Sequence, residues 1–569
     1  MIPPIVRLST ICLLAVGWSV CPPARAQEFS APNADDLLRS LAVVIGPRPM
    51  GSPAERRALA FATEKLLLYG CDTAFVMPMM KAASVNTASG VAVGIKKGRT
   101  GRIIVLGGHI DSAGPEIPGA NDDASGSAVV LEAARALSRD ELQSTIVFAL
   151  FGGEERGARG SRAFVEHFDG IDSVVLMIQI DMANGSGTII LDPDAHGASA
   201  PPWLVRATVE EFTGLGYTGL DYPLHYFSWN YATEKGSGSD HVPFLQAGIP
   251  AIDFTTDVGD PIHTPQDSYA NFDPAGLKRS GDLALRLVRR FDGGVPSRAT
   301  ARYWLCLVGA LPVIVPLWGV WFFVAGSALF GFAVLLRMRK AHFSVAPAGA
   351  DQAGKRRWSG VKLLLVSLVT VLPAWYSSNL IGVIKNDRYP WFAHPEHYIV
   401  LGLLASVFGI LTGLRLAGGL QISRSPYVLF KRSFIALLAA VVLAAFAGVK
   451  IAVPFAVCLL FLSSSLVLSL RLPAALIALV APVWMFRLVF SEAYTLIFRL
   501  AAPGIPGTAT AEIMVNGLWI GALTLLVFSW LPGFVAVARR HGGSGRLLGA
   551  IRSRRFLVIT AGLFGIYTT

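Results

Sequence analysis

Two hydrophobic patterns divide the chain. Through residues 27–300, short apolar runs alternate with amphipathic stretches. From residue 301 onward, long apolar runs follow one another with little between them. In the first part, residues 102–109, 144–151, 174–181, 188–191 and 251–254 read as strands, because they are short, apolar and rich in Ile and Val. Helices are predicted over 33–44, 53–69, 125–139, 161–168, 202–212 and 274–290. In 125–139, Val129, Val130, Ala133 and Leu137 recur at helical spacing. Strands apolar on both faces, alternating with helices, predict an α/β fold: a mostly parallel mixed sheet with helices on both faces. No internal repeat is visible.

Residues 301–569 predict a C-terminal all-α multi-span transmembrane domain of about eight helices. The expected spans lie near 303–336, 363–384, 398–414, 433–449, 451–470, 472–491, 516–537 and 556–569. The first is long and contains Pro312 and Pro316, which leaves room for a re-entrant piece. At the other end of the chain, Arg7 precedes an apolar core over 11–20, and Ala24-Arg25-Ala26 precedes Gln27. That order reads as a secretory signal peptide, cleaved after residue 26. The expected organisation is therefore signal peptide 1–26, an exported domain 27–300 and a membrane domain 301–569.

Composition sharpens this division. A mean hydropathy of +0.53 with 53% hydrophobic residues is too apolar for a wholly soluble protein. The net charge of +11 describes neither half. Residues 27–300 carry 23 Lys and Arg against 33 Asp and Glu, a net of −10; residues 301–569 carry 24 against 5, a net of +19. A nucleic-acid partner does not follow, because the basic half is also the apolar half. Its charges gather in alternate loops, above all 337–362 and 539–555, as the positive-inside rule requires if the acidic domain is outside. The chain thus reads as a multi-pass protein of the inner (cytoplasmic) membrane, its acidic domain on the periplasmic or extracytoplasmic side. In that domain Cys71 is the only cysteine, so neither a disulfide nor a Cys-rich zinc motif is available. Any metal must be held by imidazoles and carboxylates.

The candidate chemistry centres on GGHIDSAGPEIPGANDDASG, residues 107–126. His109 and Asp111 fall at the C-terminal end of a strand, and Asp122 and Asp123 where a helix begins, the edge of an open α/β sheet where ligands bind. Alone, paired aspartates before a helix are often no more than a cap. The second strand, however, ends in Glu154-Glu155, the third ends in Asp181, and His263 follows in PIHTPQDSYAN. His109, Asp122, Glu155, Asp181 and His263 supply what two metals sharing one carboxylate need, each with one His and one further carboxylate. Glu154, beside a ligand without being one, suits a general base for a metal-activated water.

These motifs (GGHIDS, PGANDDASG, FGGEERGARGS, IQIDM, SDHVPF with GIPA, and HTPQDS) resemble the co-catalytic dizinc aminopeptidase family that includes the bacterial leucyl-type aminopeptidases. IGPRPMGSPAERR also resembles its membrane-bound branch, the endoplasmic-reticulum and vacuolar metallopeptidases. The resemblance covers roughly residues 38–275 and implies a zinc-exopeptidase-like fold holding two zinc ions. Asp122 would bridge them, His109 and Asp181 completing one site and Glu155 and His263 the other. Asp111 would orient the His109 imidazole, and Glu154 would take a proton from the attacking water and return it to the leaving amine. The implied function is a membrane-anchored exopeptidase, an aminopeptidase acting on peptides outside the cytoplasmic membrane, with the lipid bilayer as its other partner. Oligomeric state is left open. One position departs from the family: Ile262 stands where a Tyr commonly precedes the last His.

Two other functions compete: a glutaminyl-cyclase-like acyltransferase, with a single zinc on the same fold, and a non-catalytic receptor or scaffold. Elsewhere, Asp123 reads as a helix cap or a support for the metal ligands. Asp240 and His241 read as pocket-lining residues or a hydrogen-bonded pair that steadies a loop. His196 and His225 read as surface residues, His394, Glu396 and His397 as solvated loop residues, and Arg487 as a costly charge within a span.

Overall fold

The computed structural model describes residues 27–79, 89–185, 188–195, 197–222, 239–256, 260–308, 311–345, 360–372, 423, 425–486 and 509–541. The expected signal peptide, the expected spans 398–414 and 556–569, and His196, His225, His394, Glu396, His397 and Arg487 lie outside these residues.

The N-terminal half is built on an eight-stranded mixed sheet. Its strands are β1 (Thr73–Pro78), β2 (Gly90–Lys96), β3 (Ile103–His109), β4 (Thr145–Phe151), β5 (Val174–Ile180), β6 (Ile189–Asp192), β9 (Leu220–Asp221) and β10 (Ala251–Thr256). The small strands β7 (Asp194–Ala195) and β8 (Ala198–Ser199) form a separate hairpin. The order across the sheet is β1-β2-β4-β3-β5-β10-β6-β9, and the four central strands β4, β3, β5 and β10 run parallel. On the flanks, β1 and β2, β2 and β4, and β10 and β6 pair antiparallel.

The period-two alternation of a strand sorts the central side chains into two cores. Ile104, Leu106, Ile146, Phe148, Leu150, Leu176 and Ile178 join one face, covered by α1 (Ala31–Arg39), α2 (Pro53–Leu68), α3 (Gly126–Leu137), α5 (Pro202–Gly214) and α7 (Ala275–Phe291). Val105, Val147, Ala149, Phe151 and Met177 join the other, under α4 (Arg159–His167) and α6 (His241–Gln246). There the rings of Phe151, Phe164 and Phe244 lie 5.8 to 6.2 Å apart. Both faces are closed by helices, as the unbroken apolar runs require.

The C-terminal half corrects one expectation. Residues 303–308 and 311–316 are not part of a helical span but pair as the strands β11 (Tyr303–Val308) and β12 (Leu311–Pro316) of a hairpin. Pro312 and Pro316 lack the N–H that a helix interior needs, and the helix begins only at Leu317. Among the described residues, four helices are long and apolar enough to cross a membrane: Leu317–His342, Pro426–Ala447, Val449–Val467 and Ile520–Arg540, with mean hydropathies of 2.0 to 2.1. Two shorter apolar helices, Gly360–Leu372 and Arg471–Phe486, accompany them. Outward-facing Trp318, Phe322, Leu443 and Phe446 are 68% to 87% exposed, an apolar surface suited to lipid rather than water.

Candidate metal centre

The parallel strands β3, β4 and β5 bring their C-terminal ends to one edge of the sheet. His109 is the last residue of β3, Glu154 and Glu155 follow β4 after Gly152-Gly153, and Asp181 follows β5. Ladder-like bonds continue past the strand ends, from Ile110 N–H to the Phe151 carbonyl and from Asp181 N–H to the Phe254 carbonyl, at 2.8 and 2.9 Å. They hold the strand ends side by side, so the side chains that leave them converge.

Asp122 lies at the middle of the cluster. Its Oδ1 is 2.9 Å from His109 Nε2, and its Oδ2 is 3.0 Å from His263 Nε2. Asp181 Oδ1 lies 3.5 Å from the same His109 nitrogen, and Glu155 Oε2 lies 3.2 Å from the same His263 nitrogen. Two triads therefore share one carboxylate, each oxygen serving one imidazole. The His109 side is buried, whereas the His263 side chain is 57% exposed, so the cluster opens to solvent on that side. Asp111 Oδ1 stands 3.5 Å from His109 Nδ1 and accepts the backbone N–H of Glu154 at 3.0 Å. That one carboxylate thus ties the imidazole to the segment carrying Glu154.

Asp123 is close to the same groups, within 4.8 Å of His109 and Asp181, but its oxygens are otherwise engaged. Oδ1 accepts the backbone N–H groups of Gly126 and Met182, and Oδ2 accepts that of His109. It caps the start of α3 and pins the ends of β3 and β5 to it. The Asp122–Asp123 peptide bond is cis.

The electrostatics are those of crowded carboxylates. Burial opposes a charged His109, but Asp111, Asp122 and Asp181 outweigh it and raise its pKa well above the usual imidazole value. Hydrogen bonds that its ring donates to Asp122 and Glu155 push His263 up to about 11. Burial would raise Asp122, yet the two imidazoles bring it below the usual carboxylate range. Burial raises Glu155 to about 7, and it raises Glu154 well above the normal range with help from Asp181 and Asp240. Buried Glu155 Oε1 has no hydrogen-bond partner among the described residues. Two imidazoles and three carboxylates form the donor set that a zinc pair requires, and the mutual charges and the orphaned oxygen fit a cation at this place.

Residues 91–288 match the family model for peptidase family M28. This segment is an M28 peptidase domain. Aminopeptidase YwaD of Bacillus subtilis is 31% identical to the chain over 220 residues, which are 36% of this chain and 45% of that protein. Leupeptin-inactivating enzyme 1 of Streptomyces exfoliatus is 29% identical over 219 residues, 34% of this chain and 46% of the relative. The chain thus spans about half the length of the curated relatives it matches. Among solved structures, a zinc aminopeptidase from Bacillus subtilis aligns at 18% identity with a TM-score of 0.39, covering 47% of this chain and 96% of that one.

Several supports of the M28 site were not singled out by the sequence reading. Asp267 accepts the backbone N–H groups of Asn121 and Asp122 at 2.7 and 3.1 Å, and so fixes the shared carboxylate. Its signal was present, since it is the aspartate of the HTPQDS motif. Ser239 donates to Asp181 Oδ2 at 2.7 Å, and it opens SDHVPF. Arg48, fully buried, donates to the carbonyls of Gly46, Ile110, Pro118 and Gly119. That accounts for the arginine in IGPRPMG: it staples the loop between His109 and Asp122. Gly119 on this loop has φ +59°, and a Cβ there would meet the Asp122 carbonyl at 2.4 Å, so only glycine fits.

Asp240 and His241 do not line an open pocket, for both are fully buried. Asp240 accepts from Ser161 at 2.5 Å, and His241 Nε2 lies 2.9 Å from the Asp194 carbonyl. Asp192, His241 and Asp253 form a further acidic cluster, sealed from solvent. Ile262 is half-buried beside His263 and offers no hydroxyl.

Proposed function

We propose that the chain is a membrane-anchored, zinc-dependent exopeptidase, an aminopeptidase that removes N-terminal residues from peptides outside the cytoplasmic membrane. The observation that carries this reading is the placement of Asp122, one oxygen toward each of two imidazoles, each of which has a further carboxylate of its own. His109 and Asp181 would hold one zinc ion and Glu155 and His263 the other, with Asp122 shared. Zinc so held would polarise a scissile carbonyl and acidify a water molecule.

The protein's own groups do the rest. Glu154 is next to the ligands, and its raised pKa suits a carboxylate that accepts a proton from water and returns it to the leaving amine. Asp111 fixes both the His109 ring and the backbone of Glu154, so base and ligand keep one relative position. The apolar helices supply the anchor. The helix ends rich in Arg and Lys (Arg337, Arg339 and Lys340; Arg539 and Arg540) lie at the C-terminal ends of Leu317–His342 and Ile520–Arg540. The first of these helices leaves the hairpin that adjoins the M28 domain, so its basic end is the far one. This supports a peptidase domain on the extracytoplasmic side.

The test uses full-length protein in detergent, its zinc content, and a panel of peptides with free or blocked N-termini. About two zinc ions per chain and cleavage of free N-termini alone are expected. Glu154→Gln should lower kcat by about 10²–10⁴-fold while the zinc content stays the same. One zinc ion with conversion of N-terminal Gln to pyroglutamate would replace this reading with a cyclase, and inert, metal-free, folded protein would replace it with a scaffold.

A further inference from the structure

The small hairpin formed by β7 and β8 lies where the M28 domain meets the membrane helices, and it is gripped from both sides. On the membrane side, Ser199 and Ala301 exchange both backbone hydrogen bonds, at 2.7 and 2.8 Å, just before β11. The Tyr303 hydroxyl donates to the Ala200 carbonyl at 2.7 Å. Lys450, the second residue of the apolar helix Val449–Val467, brings its ammonium within 3.8 Å of Asp194 Oδ1. Both side chains are nearly sealed, at 9% and 4% exposure. The Asp194 carboxylate also accepts from the Ser199 hydroxyl and, at 2.6 Å, from the Tyr222 hydroxyl. Those donors are neutral, and the cations beside the carboxylate are Lys450 and Arg302, which line one cavity with it.

On the catalytic side, the Asp194 carbonyl can only accept, so His241 Nε2 at 2.9 Å is the donor. His241 opens α6, and Ser239, two residues before it, reaches the candidate metal centre. Ser239 donates to Asp181, and Asp240 is held by Ser161 on α4, the helix that follows Glu154 and Glu155. A membrane helix is thus joined to a proposed zinc ligand through one ion pair, one two-residue strand and the first turn of α6.

We propose that Lys450 is a positioning residue for the peptidase site: by pairing with Asp194 it fixes the β7–β8 hairpin against α6, and so holds Ser239 against Asp181. The membrane half is then part of the active-site scaffold as well as an anchor. This inference rests on the reading of Asp181 as a metal ligand.

Full-length protein in detergent micelles is compared as wild type, Lys450→Met, Lys450→Arg and Asp194→Asn. The readouts are kcat and KM on a free-N-terminal peptide, affinity for zinc alone, and hydrogen exchange of residues 239–246. Lys450→Met should lower kcat about tenfold with KM unchanged, weaken one zinc site by a similar factor, and speed exchange over 239–246. Lys450→Arg should restore all three. If Lys450→Met is not recovered folded, Asp194→Asn removes the same pair from the other side and should show the same pattern. Wild-type kcat, zinc affinity and exchange in whichever variant is recovered would overturn the proposal, as would an Arg variant no better than Met. Should the wild type cleave no peptide, the aminopeptidase reading fails, while zinc affinity and exchange still decide the role of Lys450.

Discussion

At the scale of single residues, the centre is a set of carboxylates that needs positive charge. His263 titrates near 11 because Asp122 and Glu155 hold its proton, and His109 is raised by the acids around it. Zinc takes the neutral imidazole, so an ion bound here at neutral pH would have to displace protons from these rings. Protons therefore compete with the metal, and zinc affinity should rise with pH through the neutral range and on toward about 11, where His263 gives up its proton. Calorimetric titration of zinc into metal-free protein, in buffers of different ionisation enthalpy, should register net proton release. Affinity that does not depend on pH would show that the rings are not ligands. Asp122→Asn keeps the shape of the shared residue and removes its charge, so both zinc ions should be weakened together, whereas His263→Ala should weaken one.

At the scale of elements, part of the candidate site was readable because His109, Glu155 and Asp181 stand at or just after strand ends, and strand ends are marked in sequence by apolar runs that stop at His109, Phe151 and Ile180. The four parallel strands and the helices packed on them came from the same runs. β1 and β2 did not. β1 lies at the sheet edge with four of its six residues exposed, and β2 carries two glycines in seven residues, so neither looks like a buried parallel strand. α6 is six residues long with an internal proline, too short to show a period. The supports were hidden for another reason: hydrogen bonds such as those of Arg48 to Pro118 and Gly119 join positions about seventy residues apart and leave no local pattern. Their importance can be tested. Arg48→Met would leave several buried carbonyls without donors, at a cost on the order of 3 kcal/mol. Lysine cannot reproduce the fork that reaches Ile110 and Gly119 at once. Denaturant unfolding should therefore find both variants destabilised, Met more than Lys, and both should bind zinc more weakly, because the loop they release carries Asp122. Wild-type stability in Arg48→Met would mean that the loop is held by Asp267 and Asp123 alone.

At the scale of the whole molecule, two kinds of packing meet. The sheet and its helices bury one core on each face, and the apolar helices build separate clusters around Phe434, Leu459 and Trp530, and around Val324 and Ala452. The long apolar runs announced the second kind of packing but not its junction with the first, since an apolar stretch with two prolines served as a hairpin rather than as the start of a span. Metal binding should report this division. The candidate centre belongs to the sheet edge, so zinc bound there would stabilise the M28 domain without directly touching the helix clusters. At a free zinc concentration about a hundredfold above Kd, that stabilisation is about 2.7 kcal/mol. Chelation should therefore lower the melting temperature of one calorimetric transition, that of the M28 domain, and leave a second, detergent-sensitive transition of the apolar helices nearly in place. A single transition that moves as a whole would show instead that the hairpin and the Lys450–Asp194 pair bind the two halves into one cooperative unit. Lys450→Met should then split that transition in two.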